Sequence, residues 1–183
     1  MAESVAGKLL VASLSLVDPN FFRTVVLVCM HDDDGAMGLV LNRPVMEAPV
    51  ADHLPQFAGL AADPPVVFQG GPVEPTAAIA LGRFRPGLAP ANLVVGDAAL
   101  LDLSRPLDDY QADLASVRVF AGYSGWSPGQ LDREIAEEAW FVVPALEGDA
   151  FDPDPATLWR RVLQRQPGRL KLFAWAPADP RVN

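Results

Sequence analysis

The chain has 183 residues, enough for one domain, and a chain of this size buries roughly 70% of its unfolded-state surface. Its 23 acidic and 14 basic side chains give a formal net charge of −9, so its average field repels polyphosphate and anionic lipid headgroups. The single cysteine, Cys29, rules out a disulfide within the chain and fits a reducing compartment.

In chain order, the N-terminal stretch GKLLVASLSLVDPN carries an apolar run too short to cross a bilayer, and it ends in Asp18-Pro19 without a small-residue cleavage pattern. It therefore reads as a first strand of a cytosolic protein, with no membrane segment. RTVVLVCMH is nearly all apolar and reads as a central strand. Between the two, LVDPNFF predicts a turn or one helical turn, capped by Asp18 with Pro19 at the first position. HDDDGAMGLVLNRP turns back through Asp34-Gly35, so residues 24–42 predict a β-hairpin that Asn42-Arg43-Pro44 ends. A short helix within VADHLPQFAGL, a strand PVVFQ, a sharp turn Gly70-Gly71-Pro72 and a strand near AIALGRF follow. Residues 86–110 fit no single pattern.

SVRVFAGY predicts a strand, Gly122 to Trp126 a turn, and Ser127, Pro128 and Gln130 the N-cap, first and third residues of a helix with a capping box. Leu131, Ile135 and Ala139 share one face of that helix, and acidic residues cover the rest. WFVVPAL predicts a further strand. DPATLWRRVLQRQPG predicts a second helix, capped by Asp154, stopped near Gly168 and facing inward through Leu158, Val162 and Leu163. Strands and helices do not alternate regularly and no repeat is present, which is the pattern of a single α+β domain over residues 1–183.

Four chemistries can be tested against the residues. Ser124, between a predicted strand and helix, resembles a hydrolase nucleophile, with His31 and Asp32 or Asp34 as partners. Trp126 stands where the nucleophile elbow requires its second glycine, so a serine bonded to nearby backbone is the preferred reading and no catalytic residue is assigned. His31 with Asp32, Asp33 and Asp34 has the wrong spacing for a metal loop and reads as a solvated hairpin tip. Gly70-Gly71-Pro72 lacks the residues of a phosphate loop, so no metal or cofactor is expected. Arg160, Arg161, Arg165, Arg169 and Lys171 form the one cationic cluster. They are expected to pair with the acidic helix of residues 132–138 in preference to nucleic acid.

Three stretches, DPNFFRTVVLVCMHDDDGAMGLVLNRP, GGPVEP and AGYSGWSPGQLDREI, together with the closing WRRVLQRQPGRL, resemble the YqgE/AlgH family of bacterial proteins. The resemblance implies a mixed sheet that splits and curls into a flattened pseudo-barrel with helices outside. It also carries a transcriptional-regulator label, for which the sequence offers no helix-turn-helix. Two departures stand out: Met30 replaces a frequent glutamate, and Ala78-Ile79-Ala80-Leu81 replaces a strand bearing an aromatic and a histidine.

The aromatic corner Gly122 to Gln130 suits the holding of a protein partner or a small ligand, since Tyr123 and Trp126 each join an apolar ring to a polar tip. The second reading puts both rings in the core. On the first, the protein is a non-enzymatic binding domain with candidate contacts at Arg23, His31, Asn42, Arg43, Tyr123, Ser124, Trp126 and Gln130. A serine hydrolase and a direct or indirect transcription regulator are the alternatives.

Overall fold

The computed structural model describes residues 3–177; the remaining ends of the expected 1–183 domain, residues 1–2 and 178–183, lie outside them. The chain runs β1 (Lys8–Ala12), β2 (Val25–Asp32), β3 (Gly35–Val40), β4 (Pro44–Pro49), α1 (Val50–His53), β5 (Val66–Gln69), β6 (Val73–Phe84), β7 (Ala98–Leu100), β8 (Leu114–Trp126), α2 (Gln130–Ala136), β9 (Trp140–Pro144), α3 (Pro155–Gln164) and α4 (Leu170–Phe173). The nine strands form one mixed, split sheet that does not close into a barrel. One half contains β9, β1, β2 and β3, and the other contains β4, β5, β6 and β7. β8 belongs to both.

Up to Ala121, β8 lies antiparallel to β6 and parallel to β5. Beyond Gly122, Tyr123 still pairs with Val73 of β6, and Ser124 to Trp126 then pair with Gly38 to Ala36 of β3. The expected turn at Gly122 to Trp126 is therefore strand. Small residues there serve a close crossing of backbones, which in sequence looks the same as a turn. Gly122 has φ +69°, and a Cβ on it would stand 2.7 Å from the Gly71 carbonyl oxygen.

Both faces of the sheet are covered, which is why β1 and β2 read as unbroken apolar runs. Leu9 and Val11 of β1 join Leu27, Leu39, Phe68, Phe120 and the inner face of α3 in a core between the sheet halves. Leu10 and Ala12 point the other way, into a cluster under α2 that includes Val26, Trp126, Leu131 and Trp140. A third cluster lies under α1, around Phe57, Phe84, Leu114 and Val117. Arg118 projects into the inner core at 2% exposure, over the Phe68 ring and donating 2.6 Å to the Asp63 carbonyl. Burial pushes its pKa down to about 10, against the opposing pull of Asp152 and Asp63.

Several boundaries differ from expectation. β4 follows immediately on Asn42-Arg43, because Pro44 and Pro49 are tolerated at a sheet edge, where no neighbour needs the missing N–H. The predicted short helix is the four-residue α1 followed by a 3-10 turn at Pro55–Phe57, and β7 lies within the unassigned stretch. α2 starts at Gln130 with Gly129 as its cap. Only half of the capping box forms: the Gln130 side-chain oxygen accepts the Ser127 N–H at 3.0 Å, and no side-chain bond caps the helix. Asp154 does stand at the start of α3, but its carboxylate takes the Thr157 hydroxyl and no backbone N–H.

The arginine cluster also pairs differently. Arg165 binds Asp149 at 2.8 Å and Arg161 binds Asp152 at 2.6 Å, both carboxylates lying just before α3; of these cations only Arg169 reaches the acidic helix region, at Glu138. Local partners are within reach without ordering long side chains across a gap, so they win.

Two outcomes follow from the packing. Gly122→Ala should lose ~2–5 kcal/mol in urea denaturation, from left-handed backbone plus a clash, whereas Gly87→Ala, also at positive φ but facing open space, should lose only ~1–2 kcal/mol. Burial in β2 also pushes the Cys29 thiol from about 9 up to about 12. The raised pKa and the burial together mean that iodoacetamide at mildly alkaline pH should alkylate the native protein far more slowly than the urea-unfolded chain.

Candidate binding groove

A groove of about 730 Å³ opens where the inner face of the sheet runs out beyond the core. Its floor is Met30, Met37, Val73 and Tyr123; Gly125 and Trp126 of β8 form one wall, and Asp32 and Asp34 form the rim. The hairpin's register explains the floor. β2 bulges at Cys29, so that Met30 lies directly opposite Met37, which in turn pairs with Gly125 of β8. Met37 and Tyr123 pack against the inner core, while Met30 remains 55% exposed. At the tip, exposed Asp32 accepts the Asp34 N–H at 2.9 Å, and among the described residues no lysine, arginine or histidine lines the groove.

Ser124 is fully buried, and its hydroxyl donates to the Gly70 carbonyl at 3.1 Å. The same carbonyl accepts the Val40 N–H at 2.9 Å. The His31 Nδ1 accepts the Val5 N–H at 3.1 Å, which puts the ring proton on Nε2, 3.7 Å from the Asp132 carboxylate. The one basic lone pair of the ring, on Nδ1, is thus occupied, and among the described residues no hydrogen bond joins His31 to Ser124. This arrangement ties strands and the N-terminal segment together.

Trp126 belongs to the core at 6% exposure. Its ring stacks on Phe21 and meets Trp140 edge-on. The Trp126 and Trp140 indole N–H groups both donate to one oxygen of Glu134, at 2.9 and 2.8 Å, and Gln130 donates to the other at 2.9 Å. Glu134 was invisible to sequence reasoning because it sits among four other charged residues, Asp132, Arg133, Glu137 and Glu138, and reads as solvated. The useful signal was the two tryptophans, whose N–H groups need an acceptor once buried.

Arg23, Asn42 and Arg43 do not share the groove. They stand at the other end of β2 from His31, roughly 25 Å away at about 3.3 Å per residue. Asn42 bridges the Val25 N–H and the Arg23 carbonyl, both at 2.9 Å, and Arg43 donates to the Phe22 carbonyl at 2.8 Å. Arg23 lies over the Trp159 ring and donates 2.7 Å to the Ala176 carbonyl. Burial, with Arg160 nearby, lowers its pKa. With Asn42 and Arg160 it lines a separate hollow of about 170 Å³. Of the expected site residues only Tyr123 and Trp126 line the groove; Gln130 braces the turn behind it. Met30, Met37, Asp32 and Asp34 were missed as groove residues, because a bulge that re-aims side chains leaves no periodic mark.

Among the described residues no helix is long and apolar enough to cross a membrane, and no group of three His, Cys, Asp or Glu is placed to hold a metal ion. Replacing Glu134 by alanine leaves two buried indole N–H groups without an acceptor. The variant should lose at least ~2 kcal/mol in urea denaturation, and Glu134→Gln, which keeps an oxygen there, less than half as much.

Comparison with known proteins agrees with the resemblance. The AlgH-like family model matches residues 9–171. A UPF0301 protein of Streptomyces avermitilis is 46% identical over 98% of this chain and 96% of its own length, and one of Mycobacterium marinum is 44% identical over 97% and 90%. The crystal structure of a Corynebacterium diphtheriae protein superposes with a TM-score of 0.87 at 28% identity, covering 94% of this chain and 92% of that one. The solution structure of the AlgH protein from Pseudomonas aeruginosa does so at 0.67 and 29%, covering 97% and 98%. With matched residues spanning most of the sequence and a shared fold, the chain belongs to the AlgH-like family.

Proposed function

We propose that this protein is a non-enzymatic binding domain whose groove between the β2–β3 tip and the end of β8 holds a protein or peptide partner. The carrying observation is the half-exposed Met30 beside Met37 and Tyr123, next to a serine that is buried and already bonded to backbone. An exposed thioether resting on a packed apolar floor is a surface that adapts to a partner's side chains. A hydrolase would need Ser124 open to substrate and His31 with a free lone pair, and the bonds of both residues weigh against it.

Direct duplex binding, the first form of the regulator reading, is disfavoured by the net charge of −9 and by the carboxylates that occupy Arg161, Arg165 and Arg169. An indirect regulatory role would run through the same groove. Treatment of the intact protein with a fluorophosphonate probe should leave Ser124 unmodified, as read by peptide mapping. An adduct on Ser124 would replace the binding reading with the hydrolase.

A further inference from the structure

We infer that the groove takes a cationic peptide segment, one with an apolar or aromatic side chain flanked by lysine or arginine. This rests on the binding reading above and adds to it the chemistry of the partner.

The floor and the rim ask for different things. Met30 and Met37, paired across the hairpin, offer two flexible thioethers beside the Tyr123 ring, which suits a leucine, a methionine or an aromatic side chain. The rim places the carboxylates of Asp32 and Asp34 at the mouth, with exposed Asp33 between them in the chain. Among the described residues no cation lines the groove to neutralise them, and His31, the nearest imidazole in sequence, is turned to Val5 and Asp132. A ligand seated on the floor therefore places its flanking groups against uncompensated negative charge. An anionic or phosphorylated segment would be repelled there, and the net charge of −9 extends that repulsion beyond contact distance while drawing cations in. A small polyamine would satisfy the rim but leave the apolar floor uncovered. The second cavity, about 510 Å³ between β4 and β6, has a largely apolar lining with His53 and no carboxylate among the described residues, so nothing there favours a cationic ligand.

The test uses the intact protein labelled with 13C at its methionine methyl groups, titrated with a short synthetic peptide carrying a central Leu-Trp pair flanked by lysines. A second peptide has glutamine in place of each lysine, and spermidine serves as a third ligand. Met46, exposed on β4 away from the groove, is an internal control. The expected result is that the lysine peptide shifts the Met30 and Met37 signals and leaves Met46 still, with an affinity that falls as salt rises. In the Asp32→Asn, Asp34→Asn double variant, which retains an acceptor at position 32 and whose folding is checked by its melting temperature, the lysine peptide should bind about tenfold more weakly. If the glutamine peptide binds equally well at the same methyls, the groove is a binding site but the charge assignment is wrong. Equal response to spermidine alone would likewise overturn the peptide assignment. Silence of Met30 and Met37 with both peptides would overturn this inference and the binding reading together.

Discussion

The fold depends on the Gly70 carbonyl and the backbone packed around it. That one oxygen accepts the Val40 N–H of β3 and the Ser124 hydroxyl of β8, while the Gly70 N–H donates to Ala121. Here β8 passes from one half of the sheet to the other. The approach is close enough that a Cβ on Gly70 would stand 2.2 Å from the Gly122 carbonyl oxygen, and one on Gly71 would overlap Tyr123. Backbones this near leave no room for water, so every polar group at the crossing must find a protein partner. Ser124 is the side chain that completes the set.

The groove is a consequence of that crossing. Because β8 serves both halves, the sheet curls around an inner core without closing, and the inner face reaches the surface where β3 and β8 pair at their ends. The bulge at Cys29 then brings Met30 onto this face opposite Met37. On the outer face, Glu134 gathers the two indoles and Gln130, which locks α2 over the wall of the groove.

The polar residues that make the family resemblance recognisable are largely occupied in building the chain's own bends. Asn42 replaces a missing strand neighbour for Val25, Arg43 and Arg23 hold carbonyls of adjoining loops, and His31 ties the N-terminal segment to the end of β2. Such groups look like chemistry in a sequence because they are polar and placed beside turns. In three dimensions most of their donors and acceptors are already paired, the buried Nε of Arg23 being the exception among the described residues.

The strands β1, β2, β5 and β9, the hairpin and the inner face of α3 were legible in the amino-acid order, because burial on one or both faces imposes runs and spacings that survive in one dimension. The glycines near 122 were equally visible, but their meaning was not: a tight turn and a close strand crossing demand the same absence of a Cβ. Likewise the arginines of α3 advertised their charge without naming their carboxylates, and the separation of Arg23 from His31 depended on one preceding β2 and the other lying near its far end. The amino-acid order by itself determined which segments are apolar, where the chain can bend and that its surface is acidic. The tertiary structure alone decided which polar groups meet, since a bulge of one residue and a strand shared between two sheet halves redirect side chains in ways no local pattern encodes.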